Sequence, residues 1–148
     1  WVHTAVGEGT HVVTGGRITD GLRDSCWFEP TVLAGARSES AIVQEETFGP
    51  VAVLLKARDI DDGIRLCNGV RHGLRALLYT NSRQVQARFL ERVQAGVIHL
   101  NGAAAAIEAA APFLGWGGSG LGPPEHGRWD RDFYTRTQAV YGGAGPAV

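Results

Sequence analysis

The sequence has 148 residues, of which 44% are hydrophobic and 20% are charged, and its formal net charge is −1. These values are typical of one soluble globular domain with a buried core, and the near-zero charge argues against nucleic acid or an acidic membrane as a partner. The sequence also contains no apolar run of about 18 to 20 residues, the length that spans a bilayer.

The first part of the chain predicts short strands joined by turns. A helix end and a turn precede a strand at His11–Thr14, which two glycines would stop. Residues 26–33 have the aromatic and β-branched character of a strand, with Pro30 favouring an edge position or a bend. Residues 38–45 predict a short helix, and the apolar run at 51–57 predicts a buried strand.

Two amphipathic helices follow. We expect the first to begin with Asp59 or Asp61 as its N-cap and to end at Asn68-Gly69. The second would begin at Asn81 or Ser82 and run to Gln94. The expected buried faces are Ile60, Ile64 and Cys67 in the first helix, and Val85, Phe89 and Val93 in the second.

Strands are predicted after each of these helices, at residues 74–80 and 96–100. Alternation of strand and helix at this spacing predicts an α/β fold with a mostly parallel sheet and right-handed crossovers. Beyond Asn101 an alanine-rich segment is interpreted as a partly ordered connection over a site. Residues 129–142 predict a short helix and a final strand.

The glycine-rich segment 115–120 matches G-x-G-x-x-G literally. A dinucleotide fingerprint needs a strand before it and a helix after it, whereas Pro112 precedes this segment and Pro123-Pro124 follow it. A loop in close contact with other backbone is the better interpretation. Ser119 does not complete the G-x-S-x-G motif of serine hydrolases, because position 121 is leucine.

Glu45 and Glu46 are adjacent carboxylates. Neighbouring side chains of an extended segment point to opposite sides, so only one of them could face a site, and solvated surface is the alternative. The five histidines have no metal-ligand spacing, and we expect surface or hydrogen-bonding roles for His3, His11, His72, His99 and His126.

Cys26 and Cys67 are too few for a disulfide framework and too isolated for a zinc site. We expect both to be small buried apolar groups, and they favour a reducing, cytoplasmic compartment. The sequence contains no methionine, so Trp1 is not a translation start, and we expect this chain to be part of a longer protein.

Five segments, taken in order, resemble the aldehyde dehydrogenase family. The glutamate pair lies in EETFGP (45–50), similar to the family motif EEIFGP, and the glycines lie in PFLGWGGSGLG (112–122), similar to the family loop PFGG-x-x-x-SG-x-G. The remaining segments are FEPTVL (28–33), the spaced elements Asn68, Gly73-Leu74 and Tyr79-Thr80, and GVIHLN (96–101). Leu114 departs from the family glycine, which leaves the path of the loop open.

This resemblance implies roles for individual residues. Glu46 would accept hydrogen bonds from the nicotinamide ribose of NAD or NADP, and Phe48 would pack beside the nicotinamide. Asn101 would fix the floor of the site, Ile107 would lie in the segment that varies with substrate, and Phe113 would line the aldehyde tunnel.

The family forms a thiohemiacetal on a cysteine, transfers hydride to NAD(P), and hydrolyses the thioester with a glutamate base. The resemblance places the nucleophile, the base and the nucleotide-binding fold upstream of these residues. We therefore expect one partial catalytic domain over residues 1–148, inactive alone and unlikely to bind NAD or NADP alone.

The resemblance also predicts an oligomerisation strand and tail at about 132–148, in a homo-oligomer. The segment GPPEHG and the FYT tail are similar to the branch that oxidises semialdehydes derived from sugar acids. One alternative is a truncated, non-catalytic relative that serves as a binding or assembly module. Another is a small hydrolase or isomerase built from Glu46, His99 and Ser119.

Overall fold

The computed structural model describes residues 1–18, 27–103 and 107–143. The predictions for Cys26 and for the alanines at 104–106 lie outside these ranges. In chain order the elements are α1 (Val2–Gly7), β1 (His11–Thr14), β2 (Thr31–Ala34), α2 (Ala41–Gln44), β3 (Val51–Leu54), α3 (Ile60–Asn68), β4 (His72–Gly73), β5 (Arg75–Leu78), α4 (Arg83–Arg92), β6 (Val97–Leu100), β7 (Trp116–Gly117), a 3-10 turn (Gly127–Trp129) and α5 (Asp130–Tyr134). None of the described helices is both long and apolar enough to cross a bilayer.

The first sheet has the strand order β1-β2-β3, with β1 antiparallel and β3 parallel to the central strand β2. Helices α1 and α2 cover it, and the core between them centres on the fully buried Leu33. Pro30 lies just before β2, outside the strand, and the predicted edge position is wrong because β2 is the central strand. Proline has no backbone N–H to donate to a ladder, so the central strand begins only at Thr31.

The second core lies between helices α3 and α4 and the parallel pair β5–β6. Both predicted N-caps are present: the Asp59 carboxylate accepts from the Asp62 amide at 2.8 Å, and the Ser82 hydroxyl accepts from the Val85 amide at 3.3 Å. The buried members of this core are Ile64, Ala76, Phe89, Val93 and Ala95.

The prediction that Cys67 belongs to this core is wrong, because Cys67 is exposed. Asn68, four residues after the buried Ile64, takes the inward position of the next helical turn. Its side-chain amide donates to the Arg92 carbonyl and accepts from the Gln94 amide, both at 2.8 Å. This polar link between α3 and the end of α4 turns Cys67 away from the core.

The predicted α/β class is confirmed, and the parallel pairing occurs in two separate places. Strand β3 pairs with β2, whereas β5 pairs with β6, and the described strands of these two sheets share no ladder. A third, two-stranded ladder joins β4 to β7 in antiparallel register. Strands that alternate with helices along the chain are thus distributed over different ladders.

The predicted final strand at Thr135–Tyr141 forms no ladder within the described part of this chain, and its predicted pairing with a partner subunit stays a prediction. The chain leaves α5 at Thr135 in extended conformation, but residues 135–141 form no strand and are all exposed. A strand exists only where a neighbouring strand completes its hydrogen-bond ladder. Within the described residues no partner is available to this segment.

Candidate active site

The glutamate loop, residues 45–50, leaves helix α2 in extended conformation at Glu45 (φ −109°, ψ 150°). As this conformation requires, the two adjacent carboxylates have different surroundings. Glu45 forms an ion pair with Arg71, whereas Glu46 is exposed and has no hydrogen-bond partner among the residues that the structure describes. Glu46 is therefore the carboxylate of the pair that is available to a ligand.

Phe48 projects from the same loop into solvent. Its side chain is 92% exposed, and its backbone has a φ of +46°, which is costly for a bulky side chain. A cavity of about 350 Å³ lies beside the ring, and Trp1 and Phe28 belong to its lining. A strained backbone that holds an apolar ring in water is typical of a ligand-contacting position.

Asn101 lies directly after β6, with a φ of +52°. Its side-chain oxygen accepts from the Thr80 amide at 2.8 Å, and its amide nitrogen donates to the Thr80 carbonyl at 3.0 Å. The Tyr79 hydroxyl donates to the next carbonyl, that of Gly102, at 2.6 Å. Asn101 thus extends the β5–β6 ladder and fixes the start of the connection that follows, and its predicted contact with the substrate stays a prediction.

Phe113 is half-buried in a different part of the molecule. It exchanges two backbone hydrogen bonds with Glu125, at 2.8 and 3.1 Å, and its ring stacks on that of His126 at a centroid distance of 5.6 Å. A cavity of about 150 Å³ lies beside it. Ile107 is 56% exposed and does not line this cavity.

The glycine loop, residues 112–122, makes close backbone contacts. A Cβ atom on Gly115 would lie 2.0 Å from the Ser119 carbonyl oxygen, and one on Gly120 would lie 2.1 Å from that of Gly115. The backbone of Leu114 lies against Gly96, where a Cβ atom would be only 2.0 Å from the Leu114 carbonyl oxygen. No helix follows directly in the described residues, so the geometry is that of a tight loop and not of a dinucleotide fingerprint.

Sequence reasoning missed Arg71, which contacts both loops. Its side chain pairs with Glu45, and its carbonyl accepts from the Gly118 amide at 2.7 Å. Nearby, the Gly73 amide donates to the Ser119 hydroxyl at 3.2 Å. Nothing in the sequence distinguished Arg71 from the other arginines, because its partners are distant in the chain and are brought to it only by the tertiary structure.

The structure brings the predicted residues together in two groups and leaves these groups apart. Glu46 and Phe48 lie on the glutamate loop, whereas Phe113 lies at the start of the glycine loop. The cavities beside Phe48 and Phe113 share no lining residue. The predicted cofactor side and the predicted aldehyde side therefore lie beside two separate cavities.

Residues 1–140 match the model of the aldehyde dehydrogenase family. The chain is 33% identical over 144 residues to an alpha-ketoglutarate semialdehyde dehydrogenase of Haloferax volcanii, covering 95% of this chain and 30% of the relative. It is 38% identical over 139 residues to a succinate-semialdehyde dehydrogenase of Paenarthrobacter nicotinovorans, covering 94% of this chain and 30% of the relative.

Two solved structures are similar to the chain along most of its length. Lactaldehyde dehydrogenase from Escherichia coli superposes with a TM-score of 0.84 at 30% identity, covering 95% of this chain and 28% of that one. Betaine aldehyde dehydrogenase from Staphylococcus aureus, in complex with NAD+, superposes with a TM-score of 0.82 at 29% identity, covering 89% and 26%. The chain thus spans less than a third of the length of these proteins.

Proposed function

Because the chain belongs to the aldehyde dehydrogenase family, we propose that it supplies the C-terminal part of the catalytic domain of an enzyme that oxidises an aldehyde to a carboxylate with NAD or NADP. The observation that carries the proposal is the glutamate loop, where the exposed Glu46 and the strained, exposed Phe48 lie two residues apart. A carboxylate that pairs with none of the described residues and an apolar ring in water are groups that suit a ribose and a flat heterocycle.

The residues of this loop fit a nicotinamide cofactor, which supplies the hydride acceptor when it is bound. A carboxylate accepts two hydrogen bonds at once, so Glu46 can hold both ribose hydroxyls and thereby orient the ring. The Phe48 ring offers an apolar face beside it. Glu45 is the less available carboxylate of the two, since it pairs with Arg71.

On the aldehyde side, Phe113 would form an apolar wall that excludes water, Ile107 would lie in the segment that varies with substrate, and Asn101 would fix the floor of the site. We propose a semialdehyde as the substrate class, because relatives named alpha-ketoglutarate semialdehyde dehydrogenase and succinate-semialdehyde dehydrogenase are about one-third identical to the chain. A cytoplasmic homo-oligomer would be the working form. Without the upstream nucleophile and nucleotide-binding fold, the 148-residue chain would be inactive alone.

The substitution Glu46→Gln in the complete polypeptide tests the proposal. We expect the rate of hydride transfer, measured as the single-turnover rise of NAD(P)H absorbance, to fall on the order of ten- to a hundredfold, since a misplaced ring leaves the productive geometry. The KM for the aldehyde should stay within about twofold, because Glu46 would not contact the aldehyde.

The matched control is Glu91→Gln, which removes an exposed carboxylate from helix α4. It should leave both quantities unchanged. An unaltered hydride rate in Glu46→Gln, or an equal fall in the control, would remove Glu46 from the proposed site.

A further inference from the structure

The segment Arg71–Gly73 lies between the glutamate loop and the glycine loop and contacts both. The Arg71 guanidinium donates to the carboxylate of Glu45, the residue directly before Glu46. On the other side, the Arg71 carbonyl accepts from the Gly118 amide at 2.7 Å. One residue therefore holds the first loop with its side chain and the second loop with its backbone.

The contact with the glycine loop is close and made at several points. His72 and Gly73 form strand β4, which pairs with β7 of the loop. Gly117 has a φ of +56°, and a Cβ atom there would lie 2.5 Å from the Arg71 carbonyl oxygen. Only glycine permits this approach without strain, so the backbone at Arg71 and the glycine loop are held together as one unit.

We propose that Arg71 is a positioning residue that couples the glutamate loop to the glycine loop. In extended backbone neighbouring side chains point to opposite sides of the chain. The ion pair between Arg71 and Glu45 therefore also orients Glu46, on the other side of the chain. The hydrogen bond from the Gly118 amide to the Arg71 carbonyl links that orientation to the glycine loop, which begins with Phe113, the proposed wall of the aldehyde side. This inference rests on the proposed function, because its consequence for catalysis requires Glu46 to contact the cofactor.

The effect of Arg71 should be on geometry more than on stability. The Arg71 side chain is 65% exposed and that of Glu45 is 39% exposed, and exposed ion pairs contribute little to the free energy of unfolding. Misplacement of a substrate-positioning group by about 1 Å, by contrast, can slow a reaction on the order of a hundredfold. The proposal therefore predicts a kinetic defect in a protein of nearly normal stability.

The kinetic test uses Arg71→Gln in the complete polypeptide, with NAD(P) and a deuterated aldehyde. We expect kcat/KM for the cofactor to fall roughly five- to twentyfold, less than the full cost of misplacement. The primary deuterium isotope effect should rise, while the KM for the aldehyde stays within about twofold. Arg71→Lys should recover part of the loss, because it restores the cation beside Glu45.

The matched control is Arg88→Gln, which breaks an ion pair with Asp61 between α4 and α3. Its partners are 51% and 45% exposed, comparable with Arg71 and Glu45. The control should leave all kinetic quantities unchanged. If Arg71→Gln behaves like Arg88→Gln in an enzyme that oxidises aldehydes, the proposal is wrong.

A second measurement does not depend on activity. Glu45→Gln releases the Arg71 side chain from the glutamate loop, and hydrogen exchange by mass spectrometry then compares peptides over residues 45–50 and 112–122. We expect faster exchange in both peptides. Faster exchange confined to 45–50 would overturn the coupling, whatever the kinetics. If the wild-type polypeptide oxidises no aldehyde but Glu45→Gln still speeds exchange in both peptides, the proposed function is wrong and the coupling is supported.

Discussion

Asp62 combines burial with charge on helix α3. Its side chain is 7% exposed, and it accepts hydrogen bonds from Arg58 Nε at 3.2 Å and from Arg65 Nη2 at 2.8 Å. These two guanidinium groups, followed by the Arg58 amide, hold the pKa of the Asp62 carboxyl well below its ordinary range. The ionised carboxylate therefore belongs to the folded state, although solvent around the mostly exposed arginines screens part of the effect.

The pH dependence of stability should report this carboxylate. Because its pKa is lower in the folded chain than in the unfolded chain, its stabilising contribution is fully present above about pH 4 and is lost as the pH falls further. We expect Asp62→Asn to lower the free energy of unfolding in urea at pH 7, and the difference from wild type to shrink towards pH 3. An equal difference at both pH values would show that the charge of Asp62 is not its source.

Helix α4 begins where local signals place it and ends where a tertiary contact stops it. The Ser82 hydroxyl accepts from the Val85 amide at 3.3 Å, and Phe89 lies in the core. The expected end was Gln94, but the helix ends at Arg92. The Arg92 carbonyl and the Gln94 amide both bind the side chain of Asn68, which takes the chain out of the helix.

The Ser82 N-cap of α4 should contribute measurably to the free energy of unfolding. Ser82→Ala should lower the free energy of unfolding by about 1 kcal/mol, since the Val85 amide loses its acceptor, whereas Ser82→Gly should cost only about a few tenths of a kcal/mol. The neighbouring substitution Asn81→Ala is the control, because Asn81 is exposed and forms no cap bond. Urea unfolding of the three variants would contradict the assignment if Asn81→Ala were as costly as Ser82→Ala.

The molecule as a whole exposes more surface than a compact protein of its size. Its accessible surface is 11156 Å², whereas a folded monomer of 15.8 kDa exposes about 7300 Å². Large hydrophobic side chains contribute to this surface, among them Val13, Trp27, Leu54 and Leu121. Such a surface is typical of protein that packs against further protein.

Expression of the 148-residue chain by itself tests this view. We expect the chain to bind a hydrophobic dye such as anilinonaphthalene sulfonate more strongly per mole than the complete polypeptide does, and to show no NAD(P)-dependent oxidation of semialdehydes. The complete polypeptide is the matched control and should show the reverse. Turnover by the isolated chain would contradict the proposal that the reacting groups lie outside it.

The sequence by itself determined the α/β class and narrowed the N-caps of α3 and α4 to two candidates each, because capping and periodicity depend on neighbours within a few residues. The motifs also indicated the family. Only the tertiary structure decided that Cys67 is exposed, that Arg71 joins two loops and that residues 135–141 form no strand. Each of these depends on a partner distant in the chain, and a partner's position is set by packing of the whole fold.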